Sequence, residues 1–477
     1  MIPTKIIKIL ILTVLLSPCF LGSGAVQASV DPFPVHDSIR ANVRFWKKVY
    51  TEHPSTIGYI HDSRNLDIIY EVMELMDAQN PKARKINNKR VRMAKLRYRR
   101  ILDKLARGEK ADTGEEKRIL ALFASQSAKK SLAEAKNNIR FQRCLRDRFL
   151  AGLKRSGAYF EEMRKIFTEH GLPADLAYLP HVESSFNYKA RSKYGAVGVW
   201  QFTRGTGRKF MTVNNTLDER RDPILATHAA AHLLKENHEK LESWPLALTA
   251  YNYGVNGMLR AKKAQGNYEK IFNKYGEGRF GFASRNFYAE FIAARDVALH
   301  YRHFFGEVNF ETPIKTHELK LPGYIDIKEL SRYFKVDTCS FRQLNPALGK
   351  AVFNGQRFVP KGYIFRLPYQ MHDNFDRLAG SLSKEMFHKK QKRDRFYRVN
   401  PGDTAGAIAR RNGLKLTDLI LANNLDSRAT VYAGQTLKLP AFSRKNKPAT
   451  DLAGKTDILA GTAKQAPMTP RPKSVPE

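Results

Sequence analysis

The sequence predicts a mainly α-helical protein: a helical N-terminal region, a helical central domain, and small β-α-α-β units towards the C-terminus. Three observations carry that reading. Apolar residues recur at helical spacing through most of residues 29–305. Between 158 and 305 no run alternates apolar and polar residues as a half-buried strand does. Past Phe305 two stretches, 312–368 and 395–441, repeat one strand–helix–helix–strand outline, the second more cleanly than the first.

The chain of 477 residues has room for two to four domains, each able to bury a core. A hydrophobic content of 42% and an aromatic content of 11% are globular values. With 82 Lys and Arg against 46 Asp and Glu, the formal charge is +36. That excess favours a polyanionic neighbour, whether nucleic acid, an anionic membrane or an acidic wall polymer, and charge alone does not choose.

The N-terminus narrows the choice. Lys5 and Lys8 precede an apolar run, Ile9 to Leu16, and small residues lead to Val26-Gln27-Ala28 before Ser29. Residues 1–28 read as a cleaved signal peptide, because the run is too short to span a bilayer comfortably. A lipoprotein signal ending at Cys19 competes, but Pro18 fits poorly where small residues are expected. The expected location is the periplasm or cell envelope, with outer-membrane or peripheral membrane association left open. Export speaks against a nucleic-acid partner. Cys144 falls on a helical stripe with Phe141, Leu145 and Phe149 and reads as a buried free thiol; a disulfide with Cys339 stays open.

Within 29–150, Arg40–Tyr50 carries Val43, Trp46 and Tyr50 on one face, and Leu66–Met76 carries Ile69, Val72 and Met76. Pro81–Lys110 is strongly basic, yet Ala94, Tyr98, Ile101 and Leu105 mark a seam against another helix. Its basic residues read most simply as a solvated face, and a polyanion-binding strip is the sharper alternative. The helical pattern resumes from Ile119 to Arg148. Residues 151–305 form the central domain. There a helix around Tyr159–Met163 ends at Gly171-Leu172-Pro173, and helices follow over His228–His238, Ser243–Tyr253 and Asn286–His300. Lys384–Arg395 reads as a basic linker, and 442–477 as a disordered tail.

The chemistry concentrates in LAYLPHVESSFNYKARSKYGAVGVWQF, residues 176–202. Glu183 follows an apolar run, with Pro180 kinking a helix or standing just inside its start. A carboxyl among Leu, Tyr, Phe and Trp side chains is disfavoured as an anion, which suits a general acid. A structural Glu paired with an arginine is the plainer alternative. No second carboxylate is obvious, since Asp218, Glu219 and Asp222 lie in a charged loop, whereas ordinary glycoside hydrolysis uses two. A lone acid suffices where the substrate's N-acetyl group and a sugar hydroxyl supply the second function. His170, His181, His228 and His232 are dispersed with no HExxH arrangement, so no metal site is expected, and the chemistry needs no cofactor.

Together the blocks LPADLAYLPHVESSF, GAVGVWQF and TAYNYG resemble the lytic transglycosylases with a lysozyme-like fold, the lead-in resembling their membrane-bound type D subgroup. The resemblance covers roughly residues 140–300. It implies that Glu183 is the single catalytic acid/base, and that Ser192 orients the substrate's N-acetyl group. It implies that Gln201 lines the sugar subsites, that Trp200 offers a flat face to a sugar, and that Tyr251 and Asn252 flank the acid. Relatives carry Glu-Thr-x-x-Tyr in the last helix; here Tyr288 matches, as a substrate-binding residue, but Ser284 stands in place of the glutamate.

Residues 396–440, FYRVNPGDTAGAIARRNGLKLTDLILANNLDSRATVYAGQTLKLP, resemble a LysM domain. That implies an N-acetylglucosamine groove built by Asp403, Thr404, Ala405, Asn424 and Leu425. The unit at 312–368 keeps Leu344-Asn345-Pro346 and Asn354-Gly355-Gln356 but lacks the Gly-Asp-Thr turn, so it resembles a degenerate copy. The implied activity is cleavage of the β-1,4 bond between N-acetylmuramic acid and N-acetylglucosamine of peptidoglycan, leaving 1,6-anhydromuramic ends. A hydrolytic muramidase on the same fold and a non-catalytic peptidoglycan-binding protein are the alternatives.

Overall fold

The computed structural model describes residues 31–440 apart from 78, 124–127, 393–394, 424 and 427. The expected signal peptide and C-terminal tail lie outside the described residues.

The N-terminal region is less helical than its apolar spacing suggests. Helix α1 (Arg40–Thr51) forms as expected and buries Val43, Phe45, Trp46, Val49 and Tyr50. The next two elements are strands, β1 (Ile57–Asp62) and β2 (Ile69–Glu74), paired antiparallel from Ile57↔Glu74 to His61↔Ile69. The helix expected at Leu66–Met76 is thus corrected to a strand. Its inward residues are Tyr70 and Met73, while Val72 is exposed. The reason is tertiary: β1, rich in β-branched and aromatic residues, has backbone groups to pair, and β2 satisfies them.

Helix α2 (Ala83–Ala106) lies on this sheet, its seam formed by Ala94, Tyr98, Leu102 and Leu105. Helix α3 (Gly114–Ala121) opens on a capping box between Thr113 and Glu116, and α4 (Ala128–Ala135) follows. The chain then enters β3 (Ile139–Arg143), which pairs with β1, giving the order β2-β1-β3. The continuous helical pattern expected from Ile119 to Arg148 is therefore interrupted. Cys144 lies just past β3 rather than on a helical stripe; it is buried and free, and Cys339 is free and exposed.

Ten helices, α5 to α14, build the central region. They are α5 (Arg146–Ser156), α6 (Phe160–Glu169), α7 (Leu179–Glu183), α8 (Arg204–Gly207) and α9 (Pro223–Leu241). Then come α10 (Trp244–Tyr253), α11 (Val255–Gln265), α12 (Tyr268–Lys274), α13 (Phe282–Leu299) and α14 (Tyr301–Phe305). They share one core, into which α1 also packs, against α13. Among the described residues no named strand falls between 158 and 305.

Both C-terminal units have the expected outline. The first runs β4 (Thr316–Lys320), α15 (Ile327–Phe334), α16 (Thr338–Leu344), α17 (Lys350–Phe353) and β5 (Ile364–Pro368), with β4 and β5 antiparallel. A short helix, α18 (Phe375–Gly380), precedes the second unit. That unit runs β6 (Arg395–Arg398), α19 (Ala405–Arg411), α20 (Leu416–Asn423) and β7 (Thr436–Leu439). The segment read as a linker is in fact bound to the first unit. His388 exchanges backbone hydrogen bonds with Tyr324, Gln391 does so through its side chain with the Phe358 backbone, and Lys392 Nζ pairs with Asp326 at 3.0 Å.

The first unit is also fastened to the central region through the loop before α9. Leu217 belongs to the unit's own core and bridges Leu348, and Asp218 N donates to Ala347 O at 2.8 Å. Gly349 N donates to Thr216 O at 2.8 Å, and a Cβ on Gly349 would fall 2.2 Å from Asn215 O. The Arg366 guanidinium pairs with the buried carboxylate of Asp222, whose other oxygen caps α9.

Candidate active site

Glu183 ends the short helix α7, which starts at Leu179 with Pro180 in its first turn, where proline's missing N–H costs no helical bond. Ser184 Oγ donates to Val199 O at 2.8 Å and ties α7 to the following loop. Ser185 and Phe186 both have positive φ, 49° and 55°, and Arg155 holds the Ser185 carbonyl from Nη2 at 2.6 Å. The chain reverses sharply at this point and leaves the Glu183 carboxyl at the junction of α7, α10 and α13.

Glu183 is half-buried, and its pKa is raised to about 8, first by burial and then by Glu290. Glu290 lies on α13, is likewise half-buried, and is raised to about 8 by burial, with Arg140 of β3 opposing. Sequence reasoning missed Glu290: the acidic residues it weighed were Asp218, Glu219 and Asp222, and in the last helix it noted only Ser284 in place of the family's glutamate. The signal available was an acidic residue in the otherwise apolar stretch of α13. Arg140 favours the ionised form of Glu290, and a charge on Glu290 in turn favours the proton on Glu183.

Tyr251 of α10 stands beside Glu183. Burial, and then the Glu183 charge, push its phenol well above the usual range, and its hydroxyl donates to Trp200 O at 2.8 Å. Asn252 is exposed, and its Oδ1 accepts from Ser284 Oγ at 2.9 Å. The residue in place of the family's glutamate thus bonds a neighbouring site residue. Ser192 heads a tight turn: its Oγ accepts from Ala196 N at 3.0 Å and Tyr194 N at 3.2 Å, leaving its proton to donate. Gln201 takes φ 47°, and its Nε2 donates to Gly198 O at 2.8 Å. Gly198 itself has φ +82°, and a Cβ there would lie 1.9 Å from Arg220 O.

Arg220 is the second residue that sequence reasoning missed. It is buried, forms two 2.8 Å hydrogen bonds to the Asp218 carboxylate, and donates to Gly195 O at 3.2 Å and Phe202 O at 3.1 Å. It therefore clamps both ends of the segment that carries Gln201. Its signal was hidden in a charged loop that reads as solvated.

Two expected substrate residues are corrected. Trp200 is fully buried, with Nε1 donating to Thr227 Oγ1 at 2.8 Å, so it has no free face for a sugar. Tyr288 is also fully buried, and its hydroxyl donates to Pro34 O at 2.9 Å, which fastens the N-terminal segment. In both, the aromatic ring fills the core and the polar tip is satisfied internally. The histidines dispersed in sequence are partly gathered in space: His170 Nε2 and His228 Nδ1 lie 3.2 Å apart, and the His170 and His232 ring centroids 4.7 Å apart. His181 is buried against Phe149, and burial lowers its pKa to about 3.

In the last unit Asp403 Oδ2 accepts from Tyr397 Oη at 2.7 Å and Asn400 N at 2.9 Å, and the carboxylate also pairs with Arg411. Thr404 Oγ1 caps α19 through Ala407 N at 3.2 Å. Ala405 is buried, and Leu425 packs on the unit's core. Asn424 lies outside the described residues. These residues shape the turn, while Tyr432 in the following loop is 71% exposed.

The sequence matches the model of the transglycosylase SLT domain over residues 165–273 and that of the LysM domain over 397–440. Membrane-bound lytic murein transglycosylase D of Escherichia coli, from strain K12 and from strain O6:H1, is 24% identical to this chain over 315 residues. Those alignments cover 62% of this chain and 68% of each relative. The lytic transglycosylase Slt of Pseudomonas aeruginosa, solved as an inactive mutant, superposes with a TM-score of 0.26 at 18% identity, over 32% of this chain and 26% of that one. The 70 kDa soluble lytic transglycosylase of Escherichia coli gives 0.25 at 19% identity, over 42% and 32%. Residues 165–273, which carry Glu183 and its neighbours, are a transglycosylase SLT domain, and residues 397–440 are a LysM domain.

Proposed function

We propose that this protein is a peptidoglycan lytic transglycosylase in which Glu183 is the acid and base. The observation that carries the reading is a carboxyl with a pKa near 8, half-buried within the SLT domain beside Tyr251 and Glu290. At neutral pH Glu183 holds its proton and can give it to the leaving glycosidic oxygen, as a general acid must. Once ionised it can take the proton of the muramyl C6 hydroxyl, whose oxygen then closes on C1 to leave a 1,6-anhydro end. Ser192, with its hydroxyl proton uncommitted, is suited to hold the N-acetyl group, and Asn252 and Gln201 to line the subsites. The LysM domain would hold the enzyme on N-acetylglucosamine of the same polymer.

Residue patterning at the N-terminus supports export to the cell envelope, and among the described residues no helix is long and apolar enough to cross a membrane. Mass spectrometry of digested sacculi tests the reaction. Anhydromuramic ends are expected, and their loss in Glu183→Gln; reducing muramic acid as the sole new end would refute the transglycosylase assignment. Glu290 favours one second reading, a two-carboxylate hydrolytic muramidase, and the same product analysis separates the two.

A further inference from the structure

We propose that the N-terminal α+β module carries a second binding site, a basic cavity between α2 and β3 that takes a short acidic peptide of the kind borne by peptidoglycan strands. The substrate class rests on the function proposed above; the cavity does not. It encloses about 520 Å³, within the range of sites for small ligands. Arg92, Lys95, Arg99, Lys136 and Arg143 line it, and among the described residues no acidic one does. Its apolar lining comes from Leu75, Val91, Leu96, Ile139 and Phe141. Phe141 lies against the backbone of Gly58, where a Cβ would fall 2.4 Å from the ring, so glycine at 58 lets the ring lie down and leaves the cavity open.

Part of the positive charge is already engaged. Lys136 Nζ pairs with Asp103 at 2.7 Å, and Arg143 Nη1 donates to Ser55 O at 2.8 Å. Lys95 and Arg92 have no ion-pair partner among the described residues, and Lys95 is held below the usual lysine range by burial and then by Arg140. Lys95 is half-buried, so an anion beside it would offset the cost of its burial, while Arg92 and Arg99 are exposed and would add charge-assisted hydrogen bonds.

The chemistry selects the occupant. A neutral amino sugar would leave these cations unpaired. A bilayer needs a broad protruding apolar face, whereas of the apolar residues lining this cavity Leu96 alone is an exposed large side chain. A short peptide alternating carboxylates with alanine methyl groups meets both the cations and the apolar lining. Module and central region are also in contact: residues 139, 141 and 143 of β3 face the cavity, while Arg140 between them lies over the Phe282 ring of α13 at 4.1 Å and acts on Glu290. A peptide held there would be one strand away from the cleft.

Isothermal titration calorimetry of the full-length Glu183→Gln chain with an alanyl-glutamyl-diaminopimelate stem peptide tests this. Running it in that variant reads binding whatever reaction Glu183 performs. Saturable binding is expected, weakened at least tenfold by Arg92→Glu/Lys95→Glu and lost when the peptide carboxylates are amidated. Arg99→Glu provides an independent check should the double variant lose its thermal transition. Binding of the amidated peptide with equal affinity, no heat from the acidic peptide, or uptake of phosphatidylglycerol vesicles in its place would each overturn the proposal.

Discussion

At Glu183 two effects raise the pKa, and burial is the larger. The folded state therefore favours the protonated carboxyl. In the unfolded chain the group ionises near its ordinary value of 4.5, so this site's contribution to stability falls as pH rises from about 4.5 to about 8 and is flat beyond. Glu183→Gln removes the titration. Its thermal midpoint should exceed that of the wild type by more at pH 8 than at pH 5, while glycan cleavage falls by about 10²-fold or more. Equal midpoint differences at the two pH values would contradict a buried acid. Glu290→Gln leaves the acid in place but removes the like charge. The alkaline limb of the activity profile should move to lower pH, and an unmoved limb would show that the two carboxyls do not communicate.

The same local logic extends to elements. The segment 190–202 has little regular structure and is held from outside by Arg220, which Asp218 fixes and which the unit at 312–368 backs through Ala347. In the same loop Asp222 is 1% exposed and pairs with Arg366. Arg366→Ala would leave that carboxylate buried without its cation, at a cost of about 3–5 kcal/mol. Arg366→Lys should recover part of it, since lysine restores the charge but not the planar fork. Differential scanning calorimetry reads both, and an Arg366→Ala chain as stable as the wild type would show the pair to be dispensable. The unit at 312–368 thus reads as a brace for the SLT domain, a role that requires no Gly-Asp-Thr turn.

For the whole molecule, the charge of +36 and the pairing of an SLT domain with a LysM domain both suit an insoluble acidic polymer. Deleting residues 395–477 should leave cleavage of soluble glycan strands within about twofold of the full chain, because the LysM core is separate from that of the central domain. Retention on sedimented sacculi should fall several-fold. Equal retention would move wall binding to another surface, such as the basic N-terminal module.

Much of this was open to reading along the chain. Glu183 in apolar company, the order of the blocks around it and both β-α-α-β units follow from local spacing, because helix faces, caps and tight turns are set by neighbours a few residues away. Strand β2 did not, since Ile69–Glu74 suits either period and only pairing with β1 decides it. Trp200 and Tyr288 could not be told from sugar platforms until their polar tips were found bonded to Thr227 and Pro34. Glu290 and Arg140 meet Glu183 from elements far along the chain, and Arg220 reaches its segment from 18 and 25 residues away, a nearness that no local pattern encodes. Sequence alone singled out Glu183, its segment and the LysM unit. The tertiary structure decided which aromatics are core, which carboxylate faces the acid and which arginine holds the loop, because burial and charge proximity depend on the folded chain.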